Sequence, residues 1–404
     1  MANYAWYRLV SFGGLLVLLG IAFVLSEKKK GIDLRIVAWG LGLQFLLALF
    51  VLKTSVGEVL FDAVQEVFLR FIGFSDEGAE FLFGRLATDP SFGAIVAFQV
   101  LPIVIFVSAV SGILYHFRVI QTVVKWIAHL MQKTMGTSGA ESLGAALFIF
   151  LGVESVTAIG KYIQKMTRSE LFVIMTAFLA TIATSVMGAY VAFGAEAGHL
   201  LAASLMSAPA AVVIAKIMIP ETGEPLTTGK VEFEPEVNTE NAMDAAAGGA
   251  INGMHLALNI GAMLIAFVGM VAMANYILQG ITGLSLESIF GYAFSPFAVL
   301  MGVPAQDAIR VGQLLGTKTV LNEFLAYQQM TEMAADGRLS PRAITISTYA
   351  LCGFANFGSV GILIGGLRSV APNRGKEVAT LAIKALIAGT LAAFTTACFA
   401  GILA

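Results

Sequence analysis

The sequence predicts an all-α polytopic membrane protein: about eight transmembrane helices, two oppositely oriented re-entrant hairpins and interfacial helices, set out as an inverted repeat. Three observations carry that expectation. Of 404 residues, 58% are hydrophobic and 12% charged, against about 25% charged in ordinary soluble domains, and the mean hydropathy is +0.85. The apolar residues fall into runs near the roughly 20 residues that a membrane helix needs, with charges confined to short segments between them. Two runs are interrupted at mid-length by glycine, proline or an acid, and each carries a glutamate: Glu154 in LGVES and Glu323 in KTVLNEF.

In chain order, the run at 9–25 is long for a signal-peptide core, and Glu27, Lys28, Lys29 and Lys30 follow it without a small-residue cleavage pattern, so it reads as a first span. Further spans are expected at 36–52, 92–114, 171–193, 200–219, 250–278, 343–367 and 378–403. The interrupted regions, 142–163 and 289–327, are candidate hairpins, tolerated at membrane depth where they are buried in protein or line a wet cavity. Leu60, Val64, Phe68 and Phe71 oppose Asp62, Glu66 and Arg70 at a spacing of four, which predicts an amphipathic helix in the interface. A second such helix is expected over 117–132, anchored by Arg118, Lys125 and Trp126.

Lys28 to Lys30, then Lys161, Lys165 and Arg168, then Arg368, Arg374 and Lys376 can all be cytoplasmic only if both termini lie outside, in the periplasm of an inner-membrane protein. The polar stretch 220–246, rich in acids, Thr and Gly, cannot bury a core and reads as a flexible cytoplasmic loop. This divides the chain into 1–135, scaffold spans and interfacial helices; 136–219, first hairpin, broken helix and following span; the loop 220–246; 247–285, a scaffold span; and 286–404, second hairpin, broken helix and last span.

A charge at the bilayer centre costs about 2.5–3.5 kcal/mol on insertion scales, so Glu154 and Glu323 are functional-site candidates. Each acid-bearing hairpin is followed by a span broken by small and polar residues, Ala180 to Gly188 in one copy and Gly353 to Gly361 in the other. For one broken span, close helix packing through small residues is a sufficient explanation. Two in corresponding positions point to a transporter's mid-membrane site, where unwound backbone and helix ends face substrate and ion. The net charge of −2 leaves no basic footprint for nucleic acid. Cys352 and Cys398 have no CxxC spacing, and His116, His129, His199 and His255 no ligand spacing, so the histidines read as structural. Two acids in a cavity could do acid–base work, but no HExxH, nucleophile elbow or phosphate loop accompanies them, so an enzyme is not expected.

GVES at 152–155, KMTRSELF at 165–172, DAAAGGA at 244–250, MGVP at 301–304, KTVLNEF at 318–324 and CGFANFGSVGILIGGL at 352–367 together resemble the bacterial concentrative nucleoside transporters. The resemblance implies a nucleoside:cation symporter, a homotrimer, and an elevator-like mobile domain holding substrate between the hairpin tips and the broken helices. It places Glu323, Asn356 and Ser359 on the ribose, Phe354, Leu256 and Val186 along the base, and Glu154 with Val153 at the tip of the first hairpin. The chemistry agrees, since a carboxylate accepts from two hydroxyls while an amide supplies the complementary partner.

Two departures from the family pattern stand out. Val153 replaces a polar residue at a tip that is one residue shorter, which removes a contact that helps choose among bases. Phe148 stands where sodium-coupled relatives carry an Asn. Leu151, Thr181 and Ile182 remain as a weak sodium site of backbone carbonyls and one hydroxyl, while buried carboxylates offer a proton route. The expectation is nucleoside import coupled to a proton in preference to sodium, with no cofactor. Sodium coupling, or a nucleobase, sugar or other small polar solute as substrate, stays open.

Overall fold

The computed structural model describes residues 5–89, 95–152, 155–227 and 239–404. The protein is all helical: α1 Ala5–Val24, α2 Leu34–Lys53, α3 Ser55–Phe83, α4 Leu101–His116, α5 Val119–Met135, α6 Gly139–Leu147, α7 Arg168–Ala180, α8 Thr184–Ala192, α9 Ala197–Met218, α10 Ala242–Thr282, α11 Leu286–Leu300, α12 Ala305–Val320, α13 Glu323–Ala335, α14 Pro341–Leu351, α15 Phe357–Val370 and α16 Gly375–Leu403. Among the described residues seven helical stretches are long and apolar enough to cross a membrane. The eighth expected span is α14 with α15, split at Cys352 to Asn356 so that neither half reaches that length.

Helix starts follow local chemistry. Capping boxes open α6 (Ser138 with Glu141) and α7 (Thr167 with Glu170), each satisfying two backbone donors that the first turn leaves free. Asn322 and Asn356 cap α13 and α15 through side-chain oxygens that accept from Leu325 and Ser359 amides. The paired α7–α8, α9 and α16 form the buried centre. α1 packs along α16 and α2 along α9, and both turn large apolar side chains such as Leu16, Phe23 and Trp39 outward, as lipid contact demands.

α4 and α10 make a pair of their own. A Cβ on Gly253 would lie 2.7 Å from the Ile105 Cα, and one on Gly249 2.9 Å from the Ala109 Cα, so the backbones approach as only glycine permits. α10 otherwise exposes Ile265, Met273 and Ile277.

Several details refine or correct the sequence reading. The second interrupted region, 289–327, holds two breaks: Leu321 and Asn322 part α12 from α13, and α11 and α12 are bent 118° apart at a turn where Gly302 takes φ +85°. MGVP therefore encodes this turn, and the buried Arg342 fastens it by donating to the Gly302 carbonyl at 2.9 Å and to the Gly401 carbonyl at 2.6 Å. The polar loop ends at Asn241, which caps α10, because Asp244 belongs in a helical first turn. The second interfacial helix, α5, runs three residues beyond 132 before Gly136 ends it at φ +75°. On α3, Val64, Phe68 and Phe71 do turn inward, but Leu60 is exposed; Phe61 takes its place, its ring against Gly198 and edge-on to His199. Residues 228–238 of the loop, and Val153 and Glu154, lie outside the described residues.

At the basic end, Glu27 receives Arg168 at 3.0 Å and Lys384 at 2.6 Å, tying the α1–α2 connection to α7 and α16. The Arg168 hydrogen bond, and behind it Lys384, hold the Glu27 carboxyl below the usual carboxylate range against the opposing pull of partial burial.

The two breaks touch. Thr181 and Ala183 leave the helix for extended backbone, as Cys352 does in the other copy, and the Phe354 amide donates to the Thr181 carbonyl at 3.1 Å. Gly353, at φ +149°, makes the crossing possible, since a Cβ there would stand 2.8 Å from the Ala180 carbonyl oxygen. Gly353→Ala is expected to cost roughly 1–3 kcal/mol of stability and to weaken ligand binding with it. Thermal unfolding and binding measured on the same preparation check this, and a variant indistinguishable from the parent would show that the crossing is not tight.

Candidate functional site

A cavity of about 280 Å³ opens beside the crossing, near the lower end of the about 300–1,000 Å³ of small-molecule sites. Its floor is the second hairpin tip, Asn322 and Glu323; the two breaks supply Ser185 and Val186 on one side and Phe354, Asn356 and Ser359 on the other. α10 closes it with Asn252, His255, Leu256 and Asn259, and Gly152 of the first hairpin reaches its edge. Six residues expected from the sequence, Val186, Leu256, Glu323, Phe354, Asn356 and Ser359, are thus brought together from four separate elements.

Glu323 is the first residue of α13, where the macrodipole favours an acid, and it is buried. Both carboxylate oxygens are held: Tyr190 Oη donates to Oε1 at 3.0 Å and Asn356 Nδ2 to Oε2 at 2.9 Å. Asn356 in turn is fixed because its Oδ1 accepts from the Ser359 amide at 2.7 Å. A carboxylate has about four lone-pair sites, so roughly one per oxygen remains for a ligand, an arrangement matched to two adjacent hydroxyls. Behind the tip, the buried Lys318 donates to the Ala350 carbonyl at 2.8 Å, at the unwinding end of α14. There it satisfies a carbonyl that the broken helix leaves free.

The apolar wall continues inward as an aromatic row. Phe354 is 5.9 Å from Phe178, and Phe178 is edge-on to Phe148 at 5.5 Å. Phe148 is buried and brings no oxygen. Of the three residues considered for sodium, the Thr181 carbonyl accepts from Phe354, the Thr181 hydroxyl donates to Ala177, the Ile182 carbonyl accepts from Ser204 Oγ at 3.4 Å and the Leu151 carbonyl from Ser155 Oγ at 3.2 Å. Each of these carbonyls accepts one hydrogen bond and keeps a second lone pair, and the Thr181 hydroxyl, as a donor, keeps its own; a hard cation needs several such oxygens. Among the described residues no group of three or more His, Cys, Asp or Glu side chains is placed to hold a metal ion.

Sequence reasoning missed Tyr190 and the polar face of α10. Asn252, His255 and Asn259 recur at spacings of three and four in an apolar span, a stripe legible in principle. His255, read as structural, lies in the cavity wall.

Three stretches match known families in succession: residues 13–86 the "Na+ dependent nucleoside transporter N-terminus", 97–197 "Nucleoside recognition" and 199–401 the "Na+ dependent nucleoside transporter C-terminus". The chain is 45% identical to solute carrier family 28 member 3 of Mus musculus over its whole length, spanning 60% of that relative. It is 43% identical to an uncharacterized transporter of Haemophilus influenzae, over 98% of this chain and 97% of the other. The fold superposes on CNTnw in an inward-facing substrate-bound state with a TM-score of 0.94, at 39% identity and covering 98% of both chains; CNTnw variants in outward-facing and intermediate states also match.

Proposed function

Since the chain belongs to the concentrative nucleoside transporter family, we propose that it is a secondary active transporter importing nucleosides with a coupled cation by alternating access. The observation that carries this is the Glu323 carboxylate, held at both oxygens in a cavity bounded by two broken helices and one hairpin tip, with acceptor capacity left for a sugar diol. In this reading Asn356 and Ser359 complete the ribose contacts, Phe354, Leu256 and Val186 flank the base, and Glu154 meets its polar edge beside Val153, whose side chain neither donates nor accepts. The site lies where two structural units meet, the α4–α10 pair on one side and the hairpins and broken helices on the other, which suits an elevator-like displacement of the second against the first. The basic clusters support an inner-membrane orientation with both termini in the periplasm. The exposed apolar length of α10 supports burial against further copies in a homotrimer. Uptake of labelled nucleosides into proteoliposomes tests the function, and counterflow separates a carrier from a pore: external unlabelled nucleoside accelerates efflux through a carrier only.

For the coupling ion the reading is a proton. Phe148 withholds a side-chain oxygen where sodium-coupled relatives carry an Asn, whereas Glu323 and Glu154 can carry a proton across as the cavity changes sides. Sodium is the competing reading, favoured by the descriptions of the matching families. Initial uptake at fixed pH with sodium replaced by choline is expected to stay near its original rate. Collapse of an inward proton gradient at fixed sodium is expected to stop accumulation. The opposite pair of results assigns the coupling to sodium.

A further inference from the structure

We propose that Tyr190 is a positioning residue for the sugar-binding carboxylate, setting from behind which of its lone pairs face the ligand; this rests on the nucleoside reading of the cavity. Tyr190 does not line the cavity. It is fully buried on α8, in the first copy of the repeat, and its hydroxyl donates to Glu323 of the second-copy hairpin. The ring cannot swing away. It stacks on Tyr327 at 4.5 Å and 25°, and lies edge-on to Phe324 at 6.1 Å, while the Tyr327 hydroxyl is spent on the Thr348 carbonyl at 2.7 Å.

The carboxylate is therefore gripped by donors from both broken helices, Tyr190 after the first break and Asn356 at the second. A carboxylate held at one oxygen can pivot about that bond; held at both, its plane is fixed and each oxygen presents its remaining acceptor site in one direction. Removing the tyrosine hydroxyl alone leaves the packing of the ring and the cavity wall in place but frees Oε1 to turn. The loss should fall on the ligand hydroxyl that Oε1 accepts, and not on the base or on the hydroxyl held at Oε2.

The experiment is calorimetric titration of purified wild type and Tyr190→Phe with uridine, 2′-deoxyuridine and 3′-deoxyuridine. The expected result is a uridine dissociation constant raised roughly tenfold or more, the size of one hydrogen bond to a charged group. For one of the two deoxy analogues, the one lacking the hydroxyl that Oε1 accepts, the change should be under about twofold. A loss shared equally by all three ligands marks Tyr190 as structural packing and overturns the inference, as does uridine binding left unchanged. If Tyr190→Phe does not fold, 3-fluorotyrosine at position 190 keeps the shape and alters the donor, and the same selective change between uridine and one analogue is expected. Failure of folded wild type to bind any of the three removes the nucleoside reading itself; intact wild-type binding with a uniform Tyr190 effect removes only the positioning role.

Discussion

Glu323→Gln is expected to abolish measurable uridine binding and uptake while leaving a folded protein. Glutamine matches the shape and can still accept from Tyr190, but its amide nitrogen must then face Asn356 Nδ2, setting donor against donor at what is now a 2.9 Å hydrogen bond. The flipped rotamer keeps both protein contacts, because the Tyr190 hydroxyl can accept from the amide nitrogen, but it turns that nitrogen toward the ligand hydroxyl in place of an acceptor. Either way one oxygen that would meet a sugar hydroxyl is gone and the charge that strengthened the other is lost. With about 1.5–3 kcal/mol for each hydrogen bond to a charged group, losing two weakens binding by roughly a hundred- to ten-thousand-fold. Calorimetry with uridine, beside thermal unfolding of the same sample, reads both quantities. Parent-like affinity would remove Glu323 from the site.

Asn356 separates stability from recognition because its two ends do different things. The amide donates to Glu323, and the carbonyl caps α15 through the Ser359 amide. Asn356→Ala loses the cap, about 0.5–2 kcal/mol, and leaves Glu323 Oε2 short of a donor, about 1–3 kcal/mol, so melting temperature and uridine affinity both fall. Asn356→Asp keeps an equally good cap but turns a second carboxylate toward the first. The aspartate variant is therefore expected to melt above the alanine variant and yet bind uridine no better. Recovery of binding in Asn356→Asp would mean that the contact with Glu323 is incidental.

The spans were legible because the bilayer imposes one length and one composition on each of them. Glu323 and its partner Asn356 were legible because LNEF and GFANFGS place polar groups where apolar ones would be cheaper. What escaped depends on pairing between distant residues. Tyr190 and Glu323 are 133 positions apart, and a tyrosine in an apolar helix carries no mark of a polar partner. The second interrupted region reads in the sequence as one stretch; only the backbone shows that MGVP turns the chain and that Gly302 needs a positive φ there. On α3, Leu60 and Phe61 are about 100° apart on the helical wheel, at opposite edges of the stripe of Val64, Phe68 and Phe71, and periodicity alone does not say which edge faces Gly198.

The hydrogen bond from the Phe354 amide to the Thr181 carbonyl has a thermodynamic corollary. Each half of the internal duplication leaves an unwound backbone segment, and this bond joins the two, so part of the energy of either interruption belongs to both. Substitutions on the two strands of this junction share a partner, and their free-energy changes cannot be summed as they could for distant, independent positions. The duplicated halves are consequently not two modules bolted together, each able to lose or regain its ligand contacts separately. They form one cooperative unit, and a perturbation entered at Thr181 is already a perturbation at Phe354.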